Sequence, residues 1–473
     1  MFPTQIGAAG NCPSFLRPEL AQGMFVNFKR LYESVGRLPF ACGQVYRNEI
    51  APRGGMFLRE FTLAEIEHFC RDDEKRHPKF APLAGLSLQV WSREAQEKGE
   101  HPVRLTLGEA LATVPSFLEP PCGIRADCIR FRQHLLKQMA HYARDCYDAE
   151  VRTQAGWIEV VGLADRSCFD LTQHSKATGV DLVAHERLDP PVVKDELKIV
   201  PNKKEMGKTL KGAAQPVCAH LDAMTEEQVG IPHHPPPQPQ PVRAFQAQLA
   251  RDGHVTLTVL VPVPVEKKKD AAAPAAAPLP PVPTTVELLP NMVEFKTVQT
   301  KISDRVFIPA VIEPSFGISR IFNTILEHCF YRRPEDVKRG VFRFPPMLAP
   351  TKCAIFPLSG DDRFQPVCQK IASDLVKLGL SRTIDASGVA IGRRYARADE
   401  VGTPYAVTVD FDTIDAQHPN FESVTLRERD SCEQIRVKIA ELPALVRGLV
   451  EGTNTWADAK TRFPTAARPA SDE

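Results

Sequence analysis

Paired cysteines, long apolar runs and a strong charge of either sign are all missing from this 473-residue chain. Its 12 cysteines include no CxxC, and the nearest two, Cys122 and Cys128, are not spaced as zinc ligands. Scattered through apolar segments, they read as buried free thiols of a reducing compartment, not as a disulfide or metal framework. No stretch approaches the roughly 20 apolar residues that span a bilayer, so no membrane partner is expected. The opening residues, MFPTQIGAAGNC, have neither a basic nor an apolar leader region, so no targeting segment is expected there. A formal net charge of +1 is lower than is common for a protein that grips many phosphates, although a local patch would suffice for RNA. No internal repeat is present.

What is there is ordinary for a soluble globular chain: 43% hydrophobic and 25% charged residues. A prior of about 150 residues per domain gives about two to three domains. Residues 1–200 show defined strand and helix patterns. Residues 214–290 are poor in pattern and rich in Pro and Ala, including HHPPPQPQP and the run from Glu266 to Pro283. Such a tract favours extended, solvated backbone, so it reads as an expansion inside an insertion. The Lys267–Lys269 run reads as a solvated charge run before an RNA contact. From Ile318 to Phe330 apolar residues recur at helical period, which predicts an amphipathic helix. Strands are expected at 353–359, 406–413 and 422–430, and helices at 365–379 and 432–450, giving a C-terminal α/β unit. Its segment DASGVAIGRRYARADEVG (385–402) is a Gly- and Arg-rich loop and helix start, either an RNA contact or a solvated basic turn.

Three segments carry chemistry. YRNEI (46–50) and FLREFTLAEIEHF (57–69) are expected to pair as an antiparallel hairpin. Alternation then puts Arg47 and Glu49 on one strand face, and Phe57, Arg59, Phe61, Leu63 and Glu65 on the other strand's matching face. Arginine, carboxylate and aromatic groups together suit a nucleoside triphosphate, although charged residues at alternate positions also make a plain solvent face. In VIEPSFGISRIF (311–322), Glu313 and Ser315 precede a Gly turn. Arg320 lies off the apolar stripe in a first helical turn, where the dipole disfavours it. In GWIEVVGLADRSCFDL (156–171), Glu159 stands in an apolar strand, which calls for a cation or a salt bridge, and Asp165 and Arg166 follow in a turn.

These segments resemble class II aminoacyl-tRNA synthetases in their glycyl form. The hairpin is similar to motif 2 and EPSFGISR to motif 3. RPELAQG (17–23), RFRQH (130–134), GWIEVVGLADRSCFDL, NMVEFKTVQ (291–299) and IGRRYARADEVG follow the eukaryotic glycyl-tRNA synthetases in the same order. The resemblance implies an α/β (α+β) chain. Residues 1–345 would form an antiparallel-sheet catalytic domain, with insertions at about 70–128 and 186–290 and the Pro/Ala-rich part at 231–285. An α/β anticodon-binding domain would cover 346–473. It implies ATP and Mg²⁺ as cofactors, glycine and tRNA(Gly) as substrates, and a cytoplasmic, also mitochondrial, setting. By the same resemblance Arg47 and Arg320 are catalytic. Arg47, Asn48, Glu49, Leu58, Arg59, Phe61, Glu159, Val160 and Arg320 bind ATP, with Phe61 and Arg320 on the two faces of the adenine. Glu159 holds the metal. Glu19, Glu65 and Glu313 take the glycine ammonium, Arg166 its carboxylate, and Pro314 and Ser315 line the pocket. Arg393, Arg394 and Arg397 face tRNA.

Some positions depart from the family. The chain opens shortly before RPELAQG, so motif 1, with its long helix and dimer interface, is expected to be missing, which counts against the implied homodimer. Phe57 stands where the family has a triphosphate-binding arginine, Ser319 where it has Gly, and Leu20 where it has Thr. The hairpin is about one residue short, and Ala110 to Cys128 lacks a family helix. An incomplete gene model is the expectation. The alternative is a catalytically inactive truncated paralogue that binds nucleic acid.

Overall fold

The computed structural model describes residues 1–466 apart from 9, 35, 53–56, 76–79, 107–122, 225–240, 262–281 and 335. Along the chain come β1 (Phe2–Ile6), β2 (Cys12–Leu16), α1 (Ala21–Val26), α2 (Phe28–Ser34), β3 (Phe40–Tyr46), β4 (Glu60–Ile66) and β5 (His68–Cys70). Next are β6 (Ser87–Trp91), α3 (Arg93–Glu97), β7 (Val103–Thr106), β8 (Ile129–Gln133), β9 (Asp145–Thr153), β10 (Gly156–Ser167) and α4 (Phe169–Thr178). The inserted unit holds β11 (Ala184–Pro201), α5 (Lys203–Leu210), α6 (Ala214–Ala223), α7 (Pro241–Asp252), β12 (Val255–Val261), β13 (Val282–Leu288) and β14 (Val293–Phe307). Then follow β15 (Ala310–Gly317), α8 (Ile318–Cys329), β16 (Phe330–Arg333) and β17 (Asp336–Phe342). The C-terminal unit comprises β18 (Cys353–Pro357), α9 (Phe364–Lys377), β19 (Arg382–Ile384), α10 (Ile391–Glu400), β20 (Tyr405–Val409), α11 (Phe411–Ile414), β21 (Ser423–Glu428), β22 (Gln434–Lys438), α12 (Leu442–Glu451) and α13 (Trp456–Arg462).

A nine-stranded sheet carries the first unit, in the order β3-β4-β15-β10-β9-β8-β6-β7, with β5 also paired to β15. All its pairs are antiparallel except β6 with β8. Helix α8 lies across this sheet, with Ile321 and Ile325 packed on Ala64, Val160, Val161 and Phe316. The amphipathic helix expected from Ile318 is therefore present. Phe322 and Phe330 remain exposed, so not every apolar position of the periodic run is core.

The long ladder of β11 with β14, from Ala184↔Phe307 to Pro201↔Val293, bounds the second insertion. Part of the segment expected to lack pattern is ordered here. Val242, Phe245 and Leu249 recur at helical spacing on α7 and bury against Val255, Val259 and Leu288. The composition of the flanking tract hid a small core. The remainder, residues 225–240 and 262–281 with the Lys267–Lys269 run, lies outside the described residues.

In the C-terminal unit five strands are ordered β19-β18-β20-β21-β22. β18 is buried on both faces. Cys353 and Ile355 meet α9 and α12, while Ala354 and Phe356 meet Tyr395 and Ala398 of α10. The helix expected over 432–450 is instead β22 followed by α12. Ile435 and Val437 are buried at strand period, and pairing with β21 decided the matter. A buried ion pair fixes this unit to the β16–β17 hairpin: Asp399, itself 2.9 Å from Arg427 of β21, lies 2.9 Å from Arg333 of β16. Arg429 donates to the Phe344 and Gly402 carbonyls, and Gly402, at φ +77°, packs so closely that a Cβ would lie 2.3 Å from the Phe344 ring. No helix among the described residues is long and apolar enough to cross a membrane.

Candidate active site

The two chemical faces of the expected hairpin form in part. β3 and β4 pair antiparallel from Phe40↔Ile66 to Tyr46↔Glu60. The strand ends at Tyr46, so Arg47, Asn48 and Glu49 sit in the connection and do not share a strand face. A Pro three residues beyond Glu49 and the glycines after it favour a loop over a continued ladder. The connection is nevertheless tied: Arg47 N donates to Arg59 O at 2.9 Å, and Arg59 Nε to Glu49 O at 3.0 Å. Leu58 and Arg59 are exposed beside it.

On β4, Phe61, Leu63 and Glu65 share a face with Val45 and Leu20, while Ala64 points into the core below α8. Arg47 lies over the Phe61 ring, 5.4 Å from its centroid. Arg320 lies 5.0 Å over Phe57, not over Phe61. Arg320 also reaches β10, donating to Glu159 O at 2.9 Å and approaching Glu159 Oε2 at 3.4 Å. Glu159 is not an isolated buried carboxylate. A bulge between Glu159 and Val161 leaves its side chain 48% exposed and directs Val160 into the core, so only the Val160 backbone remains for a ligand. Gly317 explains the tight fit at this corner, since a Cβ there would sit 3.3 Å from Val160 O.

Ser319, expected to depart from Gly at this position, is accommodated. Its Oγ accepts from Thr62 N at 3.1 Å, tying the first turn of α8 to β4. Removing it as Ser319→Gly is expected to cost about 1 kcal/mol in chemical denaturation, the usual worth of such a bond. An unchanged midpoint would mean that solvent already reaches Thr62 N.

The second cluster lies further along β4, around Glu65. Ser315↔Glu65 and Ala164↔Glu313 are register pairs, so β4, β15 and β10 bring their polar side chains together. Ser315 Oγ donates to Glu65 Oε1 at 3.2 Å, and Leu20 N donates to Glu65 Oε2 at 2.7 Å. A second bulge, between Asp165 and Ser167, aims Arg166 inward from β10; the turn expected there is strand. Arg166 is 1% exposed and holds Asp170 through two bonds of 2.7 and 2.9 Å and Glu313 through one of 2.7 Å. The Tyr142 ring covers its guanidinium at 3.8 Å. Glu19 stands at the rim, 3.9 Å from Arg166 Nη2, and Gln22 bridges Glu19 and Asp170. Pro314 is half-buried between Glu313 and Ser315.

Electrostatics follow from this packing. Burial pushes the Glu65 carboxyl above its usual range, against the bond from Leu20. Burial also raises Glu313, although Arg166 pulls it down. For Arg166, burial opposes the charge, but Asp170 and Glu313 outweigh it and hold the guanidinium protonated. Sequence reasoning missed Glu67, which is wholly buried and whose carboxyl is raised by burial and then by Glu313. It also missed Asp170 and Tyr142. The signal for Glu67 was present, because it stands two residues beyond Glu65 in an alternating sequence that runs past the end of β4. One carboxylate oxygen each of Glu65, Glu67 and Glu313 lie within 4.8 Å of one another.

Of the three arginines in the C-terminal segment, Arg394 is buried, its guanidinium held by the carbonyls of Pro357, Leu358, Asp385 and Val389. That is a structural role, and it withdraws Arg394 from the RNA-facing set. Arg393 and Arg397 are exposed, and Arg397 donates to Ser387.

Residues 352–449 match the family model of the anticodon binding domain. The chain is 42% identical over 483 residues to the glycine–tRNA ligase of Drosophila melanogaster, covering 98% of this chain and 58% of that protein. It is 40% identical to a putative glycine–tRNA ligase of Schizosaccharomyces pombe, covering 98% of this chain and 68% of that one. The glycine–tRNA ligase of Methanothrix thermoacetophila is 35% identical, with 97% and 74% covered. The chain thus spans between 58% and 61% of the length of its Drosophila, Bombyx mori and Caenorhabditis elegans relatives. A solved prolyl-tRNA synthetase from Cryptosporidium parvum, complexed with L-proline and AMP, matches at a TM-score of 0.47 and 12% identity, over 97% of this chain and 66% of that one. A likeness that low carries no weight.

Proposed function

We propose that this chain, which belongs to the glycine–tRNA ligase family, activates glycine with ATP and passes the glycyl group to the 3′ end of tRNA(Gly). From that membership the buried polar cluster becomes the amino-acid pocket, and the surface of Arg47, Phe61, Arg320 and Glu159 becomes the nucleotide site. The observation that carries this reading is the meeting of Glu65, Glu313 and Ser315 from two paired strands, one of them the strand whose Phe61 carries Arg47. Glycine offers no side chain, so a pocket for it must grip its charged ends and leave no room for a methyl group.

In this reading Glu65 and Glu313 receive the ammonium, with Glu19 at the entrance and Ser315 and Pro314 as walls. Arg166, held rigidly by Asp170 and Glu313, orients the pocket and faces the carboxylate. Arg47 neutralises the α-phosphate as the glycine carboxylate attacks it in line and pyrophosphate departs, charge stabilisation of the kind that dominates phosphoryl and nucleotidyl transfer. Asn48, Glu49, Leu58 and Arg59 hold the nucleotide from the connection after β3. Phe61 stacks on the adenine and Arg320 covers its other face, which requires Arg320 to leave Phe57.

Mg²⁺ suits this set. Glu159 is half-exposed and offers hard oxygen ligands beside room for water, and such a cation is usually held by one or two carboxylates plus phosphates. When bound it supplies charge neutralisation on the phosphates. Arg393 and Arg397 present cations to tRNA from the C-terminal unit. The cytoplasm and mitochondrion, as sites of protein synthesis, are the compartments assigned. A homodimer remains part of this reading, and the exposed Leu38 and Phe40 beside edge strand β3 are surfaces it would cover.

The test is glycine-dependent ATP–pyrophosphate exchange on the full chain, with alanine as control and circular dichroism as the folding check. Exchange with glycine and none with alanine is expected. A folded chain without exchange would move the assignment to a nucleic-acid-binding paralogue.

A further inference from the structure

Glu67 has no task in the mechanism above. It follows Glu65 by two residues, past the end of β4, with its backbone N bonded to Pro39 O. Its side chain is 0% exposed, and neither carboxylate oxygen has a hydrogen-bond partner among the described residues. Three buried carboxyls within 4.8 Å of one another cannot all carry charge without a matching cation. The groups around Glu67 are known from every side. Glu65 lies on β4, Glu313 on β15, Arg166 on β10 and Asp170 on α4. Glu19 and Tyr142 close the cluster toward its rim. Arg166 is the one cation in this set, and its bonds go to Asp170 and Glu313. Glu65 has its own donors in Leu20 and Ser315. Glu67 is left with the proton.

We propose that Glu67 is the third carboxyl of the amino-acid pocket, and that the trio Glu65, Glu67 and Glu313 holds one proton that is released to solvent when the substrate's ammonium group enters. This rests on the reading of the pocket as the glycine site. The incoming positive charge replaces the proton within the same set of oxygens, so no charge need be built or lost in the interior. Glu67 acts here as a positioning residue: it sets how much positive charge the pocket demands and thereby favours a protonated amine over a neutral ligand of equal size. Groups buried in this way titrate as a set, and the proton belongs to the trio. Burial and the neighbouring carboxylates, which raise both Glu67 and Glu313, agree with this account.

The experiment is calorimetric titration of the full chain with glycine at one pH near 7, in two buffers of different ionisation enthalpy. The difference in observed heat gives the protons released per glycine bound. A release approaching one proton is expected, together with glycine affinity that rises up to about tenfold per pH unit between about pH 6 and 8, the slope required when binding expels one proton. In Glu67→Gln the release and the slope should fall toward zero while glycine still binds. Glycine binding with the same heat in both buffers overturns the proposal and leaves the pocket reading intact. Undiminished proton release in Glu67→Gln also overturns it, by assigning the proton elsewhere. A folded chain that binds no glycine at all overturns the pocket reading itself. The wild-type buffer comparison stands alone if Glu67→Gln does not fold.

Discussion

Arg166→Met is expected to lower the unfolding free energy by about 3–5 kcal/mol, the cost of removing one partner from a buried ion cluster. Methionine conserves length and apolar volume, so the loss isolates the charge. Arg166 is 1% exposed, and among the described residues it is the cation that pairs Asp170, by two bonds, and Glu313, by one, beneath the Tyr142 ring. Without it two further buried carboxyls join Glu67 in having no cation. The sign with pH follows from the raised Glu67 and Glu313 carboxyls. Below their ordinary value of 4.5 these groups are neutral in both folded and unfolded chains, and the substitution costs least. As pH rises above 4.5 the unfolded chain loses those protons first, so the folded variant loses stability progressively. Adding Glu67→Gln should recover about 1 kcal/mol near neutral pH by removing one buried acid, a coupling that a double-mutant cycle measures. Chemical denaturation across pH reads all three. A loss below about 1 kcal/mol, constant with pH, would show that Asp170 and Glu313 find other partners.

Arg320→Ala is expected to reduce glycine-dependent ATP–pyrophosphate exchange by about 10- to 30-fold, the worth of a desolvated cation–π contact of about 2 kcal/mol on the adenine. The side chain lies in the first turn of α8, where the helix dipole disfavours a cation, and it is held across the strand end by the Glu159 carbonyl and carboxylate. It gives α8 little packing, so stability should change by well under the loss above. Arg320→Lys keeps the charge but not the flat guanidinium that covers an aromatic face, and should restore less than a tenfold gain. Exchange within about threefold of the parent in Arg320→Ala would remove Arg320 from the reaction. Full rescue by Lys would leave it a point charge only.

The legible part of this protein was local. The amphipathic period from Ile318, the alternation in TLAEIEHF and the buried strand at Cys353 each state their element, because side-chain spacing fixes which face can be buried. The C-terminal α/β unit followed from those patterns; the family followed from the order of seven short segments, and the antiparallel sheet was implied by that resemblance. Where the pattern misled, a neighbour decided. Gln434–Lys438 became a strand because β21 offered an edge, and YRNEI did not continue β3 because its chain turned early. Residues 241–261 hid a helix and a strand inside a composition that favours solvated backbone.

The sequence by itself determined which residue types were available: carboxylates in strands, an arginine next to Asp165, a glycine where α8 begins. It could not state their distances. Tertiary structure decided that Glu159 faces solvent while Glu67 does not, that Arg166 is committed to Asp170, and that Arg394 is a buried brace and not an RNA contact. The physical reason is that burial of a charged group depends on what other strands bring to it. Two one-residue bulges in β10, at Glu159 and Asp165, set that outcome for Glu159 and Arg166, and a bulge leaves almost no mark on sequence periodicity.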